Sequence, residues 1–448
     1  MMRGVPIIVA VALTLGTAPV ADARGQDDWV VKERWVRAHE SFLASEALQG
    51  RGSATRDEAI AATYVASQFE SFGLKPAPGM DGYLQRAEII RLRLNCAPRL
   101  AVEGAPVEGA TLLIGSTERI AGKLLVFEGS DPRKIPAADV VLVKNPAVQA
   151  RSMPGVKLLI LRENDATRDL LTRIGGKPRL PSYLAGAAPR QGTTVVTLPA
   201  AAFDRLAARP GAEVSLALDL VKDSAITTNA IGYIAGRDPK AGTVLYSAHL
   251  DHLGPRPDGK VMYGANDDAS GTTAVLEIAR ALAAGHRPRR SILFVAYGSE
   301  EIGGFGSRYF AEHAPVPLTN IVANIEFEMI GAQDPKLPAG SLMMTGFERS
   351  TLGEQLRRRG ALISADPYPE QDFFRRSDNY QLALKGVVAH TISGWAVIPT
   401  YHTPDDTRDR LDIPFMTRAI QSFIGPARWL ANSRYVPQWR PGGRPSSD

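Results

Sequence analysis

The stretch SILFVAYGSEEIGGFGS, residues 291–307, sets the pattern for the whole chain. Its first part, from Ser291 to Tyr297, is an almost unbroken apolar run with aromatic and β-branched residues, closed by glycine. A run of that length and composition reads as a strand buried on both faces. Two glutamates, Glu300 and Glu301, follow where the strand runs out. Most Glu-Glu pairs are solvated loop. The alternative is that the two carboxylates hold different posts at one site, and only the surrounding chain decides.

The same texture recurs on either side. Residues 230–235, 243–248, 320–327 and 386–392 read as further strands. Residues 272–284, stopped by Gly285, and residues 352–359 read as helices, as do residues 414–430, where Pro426 introduces a kink. Strands alternating with helices imply an α/β fold, with a mixed, mostly parallel sheet sandwiched by helices. Upstream, residues 56–72 carry an apolar stripe at Ala61, Val65, Phe69 and Phe72 with Gly73 at the stop, which is an amphipathic helix. From 96 to 220 the texture changes to short apolar runs (123–127, 140–143, 156–161, 193–198) between Gly/Pro-rich connections, and residues 175–192 read as loop. That predicts a smaller β-rich domain inserted at 96–220 into a main domain made of 24–95 and 221–433. Residues 434–448, ending in RPGGRPSSD, read as a disordered tail.

Composition narrows the function. The chain has 448 residues, 44% of them hydrophobic and 22% charged, with a net charge of only +5. That is an ordinary globular balance too long for a single small core. No basic run interleaves with aromatics, so a nucleic-acid or membrane-surface role is excluded. At the N-terminus Arg3 precedes an apolar run over residues 5–15, and Ala21-Asp22-Ala23 follows. That order is a secretory signal peptide over residues 1–23, too short to span a bilayer, and it predicts an exported protein, periplasmic or extracellular, without a membrane anchor. The single cysteine, Cys96, excludes an intramolecular disulfide and Cys-x-x-Cys zinc sites, and reads as a small buried hydrophobe. Any metal must be held by His, Asp and Glu.

Ligands of such sheets sit beyond the carboxyl ends of the strands. AHLDHLG supplies His249 and, two residues on, Asp251, which in extended backbone shares its face and can orient the imidazole. GANDDASG supplies Asp267 and Asp268 at a helix mouth, where Asp268 or Ser270 reads as the cap and Asp267 is free for metal. NIEFEMIG ends a strand with Glu328, one step beyond a supporting Glu326, and YHTPDDT puts His402 in a Pro-bearing loop. Each piece alone is weak. The chain has seven histidines, however, and two of them, His249 and His402, take ligand positions in these loops beside acids from three others. That coincidence decides for a metal centre.

His249, Asp267, Glu301, Glu328 and His402 are too many ligands for one catalytic zinc that keeps an open position. If Asp267 bridges, each of two zincs receives three protein groups, and two zincs about 3.5–4 Å apart around a bridging water form a hydrolytic device. Glu301 then binds metal, and Glu300 is left beside the zinc-bound water as general base. His252 and His286 read as surface, His313 as a helix end and His390 as packed core. Arg375 and Arg376 read as solvated loop.

These motifs resemble the family of secreted di-zinc aminopeptidases that also includes glutamate carboxypeptidases and, more distantly, glutaminyl cyclases. AHLDHLG, GANDDASG, SEEIGGFGS and YHTPDDT occur in that family's order and spacing, and residues 42–77 are similar to the segment that opens its larger bacterial members. The resemblance covers 42–77 and 227–430. It implies that His249 and Glu328 complete one zinc while Glu301 and His402 complete the other. It makes Asp267 the bridge, Asp251 the orienting acid and Glu300 the base, and has Tyr401 stabilise the tetrahedral intermediate. Many members insert a protease-associated domain where residues 96–220 stand. Two positions depart from the common pattern: Glu328 stands where Asp is frequent, and Asn379 in RRSDNY where His is frequent, with Ser377 and Asp378 kept. The implied activity is a zinc exopeptidase acting on peptides, foremost an aminopeptidase. A glutamate-carboxypeptidase-like dipeptidase is the alternative. A glutaminyl cyclase is disfavoured because it manages with one zinc, and a non-catalytic binding protein because the ligands and base are all kept.

Overall fold

A computed structural model describes residue 1 and residues 29–146, 153–173, 176–189 and 191–446. The expected leader therefore lies, but for Met1, outside the described residues.

The main sheet has nine strands, in the order Ile363–Ala365, Leu342–Met344, Ala389–Ser393, Ile321–Glu328, Thr243–His249, Ser291–Tyr297, Leu220–Ile234, Leu84–Leu94 and Ser182–Leu184. The four from Ala389–Ser393 to Ser291–Tyr297 run parallel, and antiparallel strands flank them. Their apolar runs are continuous because both faces are covered. Val244, Tyr246, Phe294 and Ala296 enter one core, and the alternate residues Leu245, Leu293 and Val295 enter the other. Helices Glu33–Leu43, Arg56–Ser71, Ser270–Ala283 and Ile413–Asn432 pack on the first face, and Phe305–Glu312 and Asn379–Leu384 on the second. Helix Arg56–Ser71 starts where the Thr55 hydroxyl accepts from the Asp57 and Glu58 amides, and it stops before Gly73, whose φ is +85°.

Parallel register brings the chemistry together. His249 lies opposite Tyr297, and Ser247 lies opposite Glu326, which sets Glu328 level with His249 at the carboxyl edge.

A second, eight-stranded sheet occupies the stretch expected to be β-rich, with helices Asp165–Arg173 and Ala200–Ala207 against it. It has its own core, built on Val140, Leu142, Leu158, Ile160, Val196 and Phe203. The chain runs between the two sheets at the end of an antiparallel ladder of the main sheet, from Leu84 opposite Ala230 to Leu94 opposite Leu220. Within the expected loop 175–192, strand Ser182–Leu184 returns to the edge of the main sheet and sets Leu184 opposite Ile89.

Two expectations fail. Cys96 is exposed, with Sγ 3.6 Å from Asp219 Oδ2, because it lies at the open end of the ladder. The C-terminal residues up to 446 are ordered against the body. Tyr435 O accepts from Arg290 Nη2 at 2.5 Å, Trp439 Nε1 donates to Gly386 O at 3.1 Å, and Arg440 N donates to Arg349 O at 2.8 Å. Side chains take up this segment's backbone groups, so it needs no periodic pattern to stay in place. Among the described residues, no helix is long and apolar enough to cross a membrane.

Candidate metal centre

His249 closes its strand and is held from behind. Its amide donates to Asp268 Oδ2 at 3.2 Å, and its carbonyl accepts from Thr272 Oγ1 at 2.8 Å. Asp268 does more than cap. Its other oxygen accepts from Gly271 N at 2.9 Å and Met329 N at 3.0 Å, so one carboxylate ties together the segments that carry His249, Asp267 and Glu328. Gly271 permits this, because a Cβ there would stand 2.5 Å from both Asp268 carboxylate oxygens and 2.2 Å from Phe327 O. Asp267, joined to Asp268 by a cis peptide bond, is fixed by Asp406, whose two oxygens accept from Asn266 N at 2.8 Å and Asp267 N at 3.0 Å.

The glutamate pair sits on a turn that begins at Ser299, a non-glycine residue with φ of +55°. Such backbone costs energy and persists only where its surroundings enforce it. Here Asp251 does so: Oδ1 accepts from Glu300 N at 2.9 Å, and Oδ2 accepts from Glu301 N at 3.3 Å and Ser53 Oγ at 2.5 Å. The expected orienting contact to the His249 ring is longer. The carboxylate stands 3.7 Å from Nδ1, whereas the Asp251 carbonyl stands 3.3 Å away.

The structure brings the expected ligands together around Asp267. Its Oδ1 lies 3.3 Å from His249 Nε2, its Oδ2 lies 3.2 Å from His402 Nε2, and the same His402 nitrogen is 3.1 Å from Glu301 Oε2. Glu328 joins His249 and Asp267, with ligating atoms within 4.8 Å of one another. Ligand atoms 2.0–2.2 Å from one tetrahedral zinc stand on the order of 3.3 Å apart, so these pairs have the spacing of neighbours on a shared ion. His249 Nε2 is buried without a hydrogen-bond partner. A stranded polar atom costs roughly 1–3 kcal/mol, and a cation at the centre of the set satisfies it.

Charge points the same way. Burial first, then the Asp378, Glu301 and Glu328 carboxylates, push Glu300 well above the ordinary carboxylate range. Burial pushes Glu328 up to about 7. Burial would also raise Asp267, but the His249 and His402 rings hold it far below the usual range. A buried crowd of acids paired only with histidine rings, among the described residues, is a site for divalent cations.

Other expectations resolve residue by residue. Glu326 is committed elsewhere, accepting from Ser377 Oγ at 3.0 Å, Asn379 N at 2.5 Å and Thr391 Oγ1 at 3.0 Å. The Asn379 side chain turns away to Phe374 O at 3.3 Å. Tyr401 is 37% exposed, and its ring stacks on His402 with 3.8 Å between centroids. His390 is core, bonded to Ser350 Oγ at 2.7 Å. A small cavity beside Glu328 and Tyr401 has Met329, Met343, Phe373 and Arg376 among its walls. Arg375 pairs with Asp372 at 3.3 Å instead.

His252 contradicts its surface reading. It is fully buried, with Nδ1 2.7 Å from Glu301 Oε1. It is covered by the segment Gly50 to Ser53, where His252 N donates to Arg51 O and Ser53 N to His252 O, both at 3.1 Å. Sequence reasoning also missed Arg51. Its buried guanidinium donates to Leu250 O, Tyr263 O and Gly264 O, each at 2.8 Å, bracing both ligand loops. The one available signal was an arginine between glycines in the N-terminal stretch that carries the resemblance.

Residues 229–424 match the model of Peptidase family M28. That match spans less than half of the chain. All the expected ligands and Glu300 lie inside it. Leupeptin-inactivating enzyme 1 of Streptomyces exfoliatus is 35% identical over 109 residues, 24% of this chain and 23% of its own length. The aminopeptidase YwaD of Bacillus subtilis (strain 168) is 28% identical over 190 residues, 41% of this chain and 40% of its own. The chain thus spans under half the length of these relatives. The aminopeptidase from Aneurinibacillus sp. strain AM-1 shares the fold, with a TM-score of 0.58 over 93% of this chain and 96% of that chain at 18% identity.

Proposed function

We propose that the chain is a zinc-dependent exopeptidase, foremost an aminopeptidase that removes N-terminal residues from peptides. The observation that carries this is the Asp267 carboxylate, which offers one oxygen beside His249 and the other beside His402, with Glu300 alongside. His249, Asp267 and Glu328 would hold one zinc, and Asp267, Glu301 and His402 the other. When bound, the zincs supply Lewis acidity and lower the pKa of water to about 7. Glu300, aimed by the Asp251 bond to its amide, takes the proton of the attacking water and passes it to the leaving amine. Tyr401, kept protonated by burial and then by the charges of Asp267 and Glu301, donates to the developing oxyanion.

The acidic mouth favours a free α-amine. Zinc-replete protein should cleave aminoacyl amides and lose that activity when the substrate amine is acetylated. Arg376 supports the second reading, a glutamate-carboxypeptidase-like dipeptidase. It lines the cavity beside Glu328 with no ion pair among the described residues, and its guanidinium sits 4.9 Å from the Phe373 ring centroid. Cleavage of N-acyl dipeptides at the C-terminal residue, lost in Arg376→Ala, would put that reading first.

Residues 96–220 serve, on this reading, as an inserted protease-associated-like domain. The protein is exported, and N-terminal sequencing should find the mature chain starting near Arg24.

A further inference from the structure

His252 has no post in the chemistry proposed so far, yet it is buried against Glu301. The geometry points to His252 as the positioning residue of Glu301: its Nδ1–H holds Oε1, leaving Oε2 for the ion shared with His402. This rests on the zinc reading above.

Distance separates positioning from ligation. His252, Asp267 and Glu301 lie close enough to surround a cation. The pairs assigned to a shared ion, however, are 3.1–3.3 Å apart, whereas His252 Nδ1 lies 2.7 Å from Glu301 Oε1 and 3.9 Å from Asp267 Oδ2. A zinc at about 2.1 Å from both Nδ1 and Oε1 would see them only about 80° apart, too narrow for a tetrahedral centre. The shorter separation is that of a charge-assisted N–H···O bond, about 2.7–2.9 Å. The two atoms are not yet aligned as a finished hydrogen bond, and neither has another partner. A small rotation of the carboxylate completes it.

The ring has nowhere else to go. Backbone bonds to Arg51 and Ser53 pin the residue on both sides. The imidazole lies where a Cβ on Gly264 would come within 2.4 Å of its Cγ, and it meets the His402 ring edge-on at 5.7 Å. With Oε1 occupied, Glu301 presents a single oxygen to the ion. Partners of this kind typically contribute 10–100-fold to metal affinity.

The test is equilibrium zinc binding in chelator buffers, with stoichiometry, on the mature full-length chain. Wild type should hold two ions. His252→Ala should weaken one of them 10–100-fold and leave the other unchanged, and His252→Asn, which keeps an N–H donor near the Nδ1 position, should restore most of the loss. Wild-type affinity in His252→Ala overturns the inference. So does an Asn variant as weak as Ala, which would make the imidazole itself a ligand. A wild type that binds fewer than two ions overturns the zinc reading first, and this inference with it.

Discussion

Replacing Asp251 with asparagine removes a charge at nearly constant shape, and the donors around it dictate the outcome. Oδ1 accepts from Glu300 N, and Oδ2 accepts from Glu301 N and the Ser53 hydroxyl. An amide offers one acceptor oxygen and an NH2 that only donates. With its nitrogen at the Oδ2 position, the Ser53 hydroxyl can turn to accept, but the Glu301 amide faces another donor. Turned the other way, the Glu300 amide does. One backbone N–H is stranded in either case, at roughly 1–3 kcal/mol, and the surviving bond loses charge assistance worth roughly 1 kcal/mol. Part of this is offset, because Glu58 and Asp378, raised by burial and also by the Asp251 charge, are relieved. The expected net loss is about 1–3 kcal/mol. Catalysis should suffer more, because a misplacement of about 1 Å at a reacting group can cost 10²-fold. Urea titration of zinc-free protein should show a lower midpoint at unchanged m-value, and kcat at saturating zinc should fall at least tenfold. A variant with wild-type midpoint and wild-type kcat would show that Asp251 does not hold the glutamate turn.

Glu300→Gln should keep its zinc and lose several powers of ten in kcat, and near-wild-type turnover in metal-replete protein would sink the base assignment. Glu328→Ala should drop the stoichiometry towards one tightly held zinc after dialysis against a weak chelator, while Glu326→Ala should stay at two. The reverse result means the wrong glutamate was chosen. Burial raises the Glu40 carboxyl from 4.5 to about 8. The native state therefore holds a proton that the unfolded chain has released, so stability present below pH 4.5 is lost as pH rises through about 8. The loss is on the order of several kcal/mol. Glu40→Gln, which can still accept from Thr273 Oγ1, should flatten the fall in zinc-free urea midpoints between about pH 5 and 8, and an unchanged slope would exclude Glu40 as its source.

The parallel strands were legible because burial on both faces leaves continuous apolar runs, and Ser291–Tyr297 is the strand the sequence predicts, residue for residue. Three of the expected ligands, His249, Glu301 and Glu328, were legible because they close or follow such a run, while Asp267 stood out at a helix mouth and His402 in a Pro-bearing loop. What stayed hidden depends on segments far apart in the chain. Nothing in HLDHLG tells that Gly50 to Ser53 lies over His252, a contact spanning about two hundred residues. The same holds for Asp406, which reads as one of two loop acids until Asn266 and Asp267 donate to it. Helix Asp165–Arg173 was missed because its sequence, DATRDLLTR, offers only a paired leucine as apolar face. The C-terminal segment was misjudged because its partners lie far off in the chain: Arg290 donates to Tyr435 O, and the segment's own Trp439 donates to Gly386 O.

The ladder that ends with Leu94 opposite Leu220 means that the chain leaves the main sheet and re-enters it at adjacent points, with Asn95 N bonded to Asp219 O at 2.9 Å. What hangs between those points touches the main body through strand Ser182–Leu184, whose Leu184 packs beside Ala54, Ile89 and Phe305. Closing a longer excursion costs only about 0.6 kcal/mol per doubling of length. Lengthening the excursion at this port is therefore cheap in loop-closure entropy. In this chain the only main-sheet strand at stake is the short edge strand Ser182–Leu184. The main sheet and the second sheet thus meet at one narrow port and one edge strand.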